Sequence, residues 1–207
     1  LNMSRYITLT VKNGAKIKLK LNAAADGTPV KIKSGSNEQI VTVNKAQGTF
    51  NYTATDTIMT VYGDVTIFHC GYNKANITAL DPSHNTGLLE LNCSSDSIRS
   101  LDVTKNTSLI LLDCYFNRLT SLDVTKNTEL AKLFCSSNKL STLDVTKNTK
   151  LTKLRCFLAN LNTLDVTKNT QLVELNCHSN SFTSLDVTKN TLLKELICRD
   201  NQLTSLD

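Results

Sequence analysis

Leu101-Asp102-Val103-Thr104-Lys105-Asn106 decides how this chain folds, because the same six residues return at Leu122, Leu143, Leu164 and Leu185. Each return comes 21 residues after the last. A variant, Leu80-Asp81-Pro82-Ser83-His84-Asn85, stands one period earlier, and Leu206-Asp207 opens a further unit. Six whole units therefore lie between Leu80 and Ser205. A fixed period of this length marks a chain that stacks equivalent turns rather than folding around one central core.

Outward from that segment, the apolar positions hold the same register. Leu88, Leu109, Leu130, Leu151, Leu172 and Leu193 share one rung, and Leu91, Leu112, Leu133, Leu154, Leu175 and Leu196 the next. Cys93, Cys114, Cys135, Cys156, Cys177 and Cys198 follow, then Asp96, Asn117, Asn138, Asn180 and Asn201. Ile98, Leu119, Leu140, Leu161, Phe182 and Leu203 close each unit. The pattern reads Leu-x-x-Leu-x-Cys-x-x-Asn-x-Leu, a leucine-rich-repeat signature with Cys at its third apolar position. Leu112 and Cys114 alternate with Asp113, the period of two that gives a strand one buried face. One unit cannot bury that face alone, so neighbours must stack, ~4.8 Å apart, into a continuous core. The Asn column can satisfy backbone amides that a loop would leave unpaired. Ala159 breaks that column, with Asn160 one place later, which predicts a looser or shifted turn there.

On the opposite side of each unit Leu122 and Val124 point in and Asp123 out. The span to Leu130 has no helical periodicity, so the convex side is expected to be short β or extended pieces. Asp102, Asp123, Asp144, Asp165 and Asp186 form one column there and Lys105, Lys126, Lys147, Lys168 and Lys189 another. The two columns read as a solvated surface whose charges compensate, and the lysines argue against calcium on the aspartates.

Before the repeats, alternation on a strand period runs through residues 5–68. Lys16-Ile17-Lys18-Leu19-Lys20 and Lys31-Ile32-Lys33 put aliphatics inward and lysines outward. Ile7–Val11, Ile40–Val43 and Ile58–Val61 behave similarly, and Asn13-Gly14, Asp26-Gly27, Ser34-Gly35-Ser36 and Gly63-Asp64 signal turns between them. Residues 1–64 are read as a small antiparallel β capping module and 65–207 as the solenoid. The solenoid comprises an irregular first unit at 65–79, six repeats at 80–205 and the start of another at 206. Val65–Cys70 is the first repeat-like strand, and two extra residues separate Cys70 from the regular spacing. The expected fold is mainly β: a curved parallel sheet with little or no helix on its convex side, preceded by the antiparallel module.

Charge and composition narrow the function. The net charge is +5, and residues 1–79 carry all of it, with nine basic and four acidic residues. That surplus biases a surface toward anionic partners but is no nucleic-acid footprint. No apolar stretch is long enough to span a membrane. No signal-peptide pattern is visible at Leu1, so one was removed or never present. All seven cysteines are expected to be reduced, because in-register neighbours ~4.8 Å apart exceed the ~3.5–4.5 Å that a disulfide requires between Cβ atoms. His69-Cys70 lacks a second ligand pair for zinc. His178 and Cys177 face opposite sides of one strand and make no dyad. No nucleophile elbow, phosphate loop or dinucleotide fingerprint occurs. No cofactor and no enzyme activity are expected.

The repeats resemble the cysteine-containing leucine-rich repeats of internalin-type bacterial surface proteins. The resemblance covers Leu80 to Asp207, about three-fifths of the chain. It implies a curved solenoid, a cell-surface or secreted location, adhesion or recognition through the concave face, and any lipid or cell-wall anchor outside these residues. The chain departs from that pattern before Leu80, where strands replace the helical cap of internalin-type proteins.

The residues flanking Leu and Cys in each strand form the inner surface. Across the units these are Glu90, Leu111, Lys132, Lys153, Glu174 and Glu195; Asn92, Asp113, Phe134, Arg155, Asn176 and Ile197; and Ser94, Tyr115, Ser136, Phe157, His178 and Arg199. Tyr115, Phe134, Arg155, Phe157 and His178 fall on neighbouring rungs, with Phe116 and Leu158 at the rim. Exposed aromatics with Arg are the composition of interface anchors and of sugar-stacking platforms, although cross-strand packing alone can also call for them. The first expectation is a recognition module for an extracellular protein or glycan; the alternative is a passive spacer or display stalk. A conspicuous apolar patch on the concave face favours the former.

Overall fold

The structure is a computed structural model that describes residues 1–206; Asp207, the second residue of the further unit, lies outside the described residues. It is all β, with fourteen strands and no helix among the described residues. Eight strands precede or enter the array: β1 (Tyr6–Val11), β2 (Lys16–Ala23), β3 (Thr28–Ser34), β4 (Asn37–Val43), β5 (Gly48–Thr53), β6 (Ile58–Tyr62), β7 (Val65–His69) and β8 (Ile77–Asp81). The six repeats contribute β9 (Glu90–Asn92), β10 (Leu111–Asp113), β11 (Lys132–Phe134), β12 (Lys153–Arg155), β13 (Glu174–Asn176) and β14 (Glu195–Ile197).

Two sheets result. A five-stranded antiparallel sheet has the order β4-β3-β6-β1-β8, and a nine-stranded sheet runs β5-β2-β7-β9 and on through the repeats to β14. The second begins antiparallel, at β5, β2 and β7, and becomes parallel from β7 onward. Glycine at positive φ makes the turns where the sequence signalled them, at Gly14, Gly27, Gly35 and Gly63. The sequence reading did not mark β5, and it assigned Ile77–Ala79 to the irregular first unit. In the structure Ile77–Asp81 pairs with β1 and also keeps the register of the array, since the Ile77 carbonyl accepts the Ser97 amide at 3.0 Å as the Ile98 carbonyl accepts that of Arg118; the two extra residues lie between Cys70 and Ile77.

One buried core runs through both sheets and along the solenoid, joining Leu9, Ile17, Met59 and Phe68 to the Leu and Cys columns. Each repeat strand is three residues long, and in β9 to β13 only its Leu is buried. The chain then turns at the residue two places after each Cys, which is left-handed even where it is Phe116 (φ 56°) or Leu158 (φ 51°). Among the described residues the convex side from Leu101 onward is extended backbone and turns without a β-ladder, whereas the equivalent Leu80–Asp81 of the first unit pairs with β1. Each of its aspartates closes a local turn: Asp123 Oδ1 accepts from the Thr125 amide at 2.9 Å and the Thr125 hydroxyl at 2.6 Å. Those bonds hold the Asp123 carboxyl below its ordinary range, with Lys126 a smaller influence.

Two columns of Asn tie the turns together. Asn138 donates to the carbonyls of Cys114 and Cys135, and its Oδ1 accepts from the Leu119 amide. The Asn of the six-residue segment forms a second column, which the sequence reading had given no role. Asn148 donates at 2.9 Å to the carbonyls of Val124 and Asn127 in the preceding turn. At Ala159 the turn is shifted, as the break in the column predicts. The Leu140 amide, whose counterparts bond an Asn side chain, donates instead to the Ala159 carbonyl at 3.1 Å.

Candidate functional site

The five residues singled out from the sequence are brought together on the concave face, each half-buried. Strands β11 and β12 place Phe134 and Arg155 side by side. The Arg155 guanidinium carbon sits 4.5 Å from the Phe134 ring centroid, and its Nε donates to Glu174 Oε1 at 2.9 Å. Lys153 lies 3.8 Å from the same carboxylate. In the next column the Phe157 and His178 rings stack at 4.6 Å and 9°, while Tyr115 tilts toward Phe157 at 6.0 Å. Ser136, between Tyr115 and Phe157, is buried and accepts the Phe157 amide at 3.0 Å through its hydroxyl. A small residue there lets the two flanking rings lean together across the gap.

Tyr115, Phe134, Arg155 and Phe157 line an open depression of about 500 Å³, together with Asp113, Ser136, Glu174, Asn176, Glu195 and Tyr72. His178 backs Phe157 from outside that lining. Tyr72 was not legible as a site residue. It lies in the irregular turn after Cys70, is 66% exposed and has φ 62°. Its one signal was position: it stands two places after Cys70, as Phe116 and Leu158 stand after their own cysteines.

Burial raises the Asp113 carboxyl, while the Tyr115 amide and the charge of Arg155 pull it back. Desolvation lowers His178, helped by Arg199, so its ring favours the neutral form that stacks on Phe157. The cysteine column behind this face is built for packing. All seven are free thiols and six are buried. Burial pushes the Cys177 thiol up to about 12, far from the range of a reactive thiolate. Among the described residues no group of three or more His, Cys, Asp or Glu side chains is placed to hold a metal ion. No described helix is long and apolar enough to cross a membrane.

A parallel sheet of 21-residue turns, with Leu columns, a cysteine at each turn and two Asn ladders, defines a leucine-rich-repeat solenoid of the internalin-like kind. Its likeness to solved structures agrees. The functional domain of InlJ from Listeria monocytogenes, which includes a cysteine ladder, is 38% identical with a TM-score of 0.59 over 70% of this chain and 36% of that one. A leucine-rich-repeat protein of Leptospira interrogans is 26% identical with a TM-score of 0.57 over 59% of this chain and 34% of that one. Internalin C2 of Listeria monocytogenes, at 15% identity, shares the fold with a TM-score of 0.57 over 69% of this chain and 74% of that one. The chain thus spans about a third of the first two. No protein-family model matches the chain, and no curated protein matches it.

Proposed function

We propose that this protein is a recognition module of the bacterial cell surface or secreted space, which binds an extracellular protein or glycan through the concave face of its solenoid. One observation carries the reading. Tyr115, Phe134, Arg155 and Phe157 gather around a single open depression on a face whose scaffold positions are otherwise uniform. Large aromatic and Arg side chains left half-buried on a rigid sheet supply contact area at low entropic cost, which is how interface anchors work. The depression carries no nucleophile–base pair among the described residues, and Asp113, Arg155 and Glu174 are already engaged with one another or with the backbone, a lining suited to binding rather than to bond making.

The test is a binding screen against extracellular proteins and glycans, run beside a Tyr115→Ser, Phe134→Ser, Phe157→Ser variant of matched stability. A ligand bound by the wild type and weakened at least ~100-fold in the variant supports the reading, since anchors of this kind are worth about 2 kcal/mol or more each. Undiminished binding by the variant places the site elsewhere and overturns it.

A further inference from the structure

The register of the nine-stranded sheet carries the concave face beyond the repeats. Thr49 pairs with Lys20, Lys20 with His69, His69 with Asn92, Asn92 with Asp113, and Asp113 with Phe134. Residues paired directly across strands project on the same face. The row that holds Phe134 and Arg155 is therefore continuous with the lysine side of β2, where Lys16 and Lys18 alternate with buried Ile17 and Leu19. The other residues that β5, β2 and β7 present on this side are Thr49, Asn51, Thr53, Asn22, Ile67 and His69, with no carboxylate among them. Among the described residues, Lys16, Lys18 and Lys20 make no ion pair, whereas Lys153 and Arg155 are matched by Glu174. The charges of Lys20 and Lys18 are close enough to His69 to lower it further, after the larger effect of its burial.

We infer that the partner is a protein that lays an acidic segment on the Lys16–Lys18–Lys20 ledge while an apolar side chain fills the Tyr115–Phe134–Phe157 depression. The inference rests on the recognition reading above and adds the partner's class and charge. Charge complementarity fixes the sign: three unpaired lysines on a strip without carboxylates favour an anion. The reach fixes the form. Lys20 and Phe134 are four strand spacings apart, about 19 Å, which an extended peptide crosses in about six residues. A peptide fits the depression better than a sugar ring does. One face of Phe157 is covered by His178 and one face of Phe134 by Arg155, which reduces the flat aromatic surface a pyranose needs.

The experiment selects displayed random peptides of roughly 12 residues, long enough to bridge both regions, on three proteins: wild type, Lys16→Gln/Lys18→Gln/Lys20→Gln, and Phe134→Ser/Phe157→Ser. A panel of sulfated and uronate oligosaccharides is tested on the same three. The lysines are on the surface, so the triple Gln variant keeps its fold, checked by its melting temperature. Wild type is expected to enrich peptides with an aromatic or aliphatic anchor about six residues from an Asp/Glu cluster. The triple Gln variant should bind the best of them at least ~10-fold more weakly and without salt dependence. Apolar-anchored peptides without acidic enrichment, bound equally by the triple Gln variant and lost on Phe134→Ser/Phe157→Ser, overturn the acidic-segment inference and leave the recognition reading standing. Enriched peptides indifferent to Phe134→Ser/Phe157→Ser overturn both. Anionic oligosaccharides captured through the lysines with no peptide enriched, or no ligand of either class, overturn the assignment to a protein.

Discussion

Asp96 shows how much one residue can matter in a repeated structure. It occupies the Asn position of the first whole unit and is buried, with one oxygen accepting the Asn73 amide at 2.9 Å and the other 3.8 Å from the Cys70 sulfur. Elsewhere in the column an amide donates two hydrogens to carbonyls, a task that an ionised carboxylate cannot perform. Burial raises the Asp96 carboxyl to about 8. The unfolded chain releases that proton near pH ~3.9. The folded state thus holds a proton that the unfolded state has lost at intermediate pH. The stability this confers is complete below pH ~4 and is lost as the pH rises through about 8. Asp96→Asn should therefore stabilise the protein, on the order of 3 kcal/mol at pH 8, and flatten the decline between pH ~5 and ~8. Urea unfolding across that range checks it; an unchanged slope would show that Asp96 is not the group responsible.

The unit of construction is the turn, and the Asn ladders set its spacing. Asn148 donates to two carbonyls of the preceding turn, each of which also accepts an amide of its own backbone, from Asn127 and Leu130, so the side chain supplies the bonds that cross from turn to turn. Asn148→Ala should cost about 2 kcal/mol, the loss of two buried hydrogen bonds together with a small cavity. Asn148→Asp should cost at least about 4 kcal/mol at pH 7, because it sets a carboxylate against two carbonyl oxygens. Equal losses for the two variants, measured by denaturant midpoint, would mean that the side chain matters for its volume alone. The shifted turn at Ala159 shows the converse: without an Asn the Leu140 amide finds the Ala159 carbonyl, Asn160 joins Leu158 at positive φ, and the regular register resumes at Leu161. That outcome was legible in advance because the Asn column is strictly periodic. The second ladder was not, since Asn106 and its equivalents read equally well as ordinary turn residues.

At the scale of the whole molecule, the array is a one-dimensional stack whose core is continuous with the β-sheet module at its start. Burial of a thiol therefore reports on its place in the stack. Six cysteines are buried, while Cys198 in the last described turn is partly exposed. In the 207-residue chain an aromatic disulfide reagent should label Cys198 rapidly and the other six only as the protein unfolds, with all seven reacting in urea. Fast labelling of several thiols in the native protein would show a stack that opens turn by turn.

The sequence by itself determined the period, the Leu and Cys columns, the inward and outward faces of each repeat strand, the glycine turns and the grouping of Tyr115, Phe134, Arg155, Phe157 and His178. Each of these follows from local alternation or from a fixed spacing, and both are properties of neighbours along the chain. In the β module the same alternation misplaced Ile40 and Ile58, which are exposed. The tertiary structure alone decided that β8 pairs with β1, that Tyr72 reaches the aromatic depression, and that Lys20 pairs across to His69. Those pairings join segments many residues apart in an antiparallel module without internal repetition. No spacing in the chain encodes them, and they are settled only when two sheets close over one core.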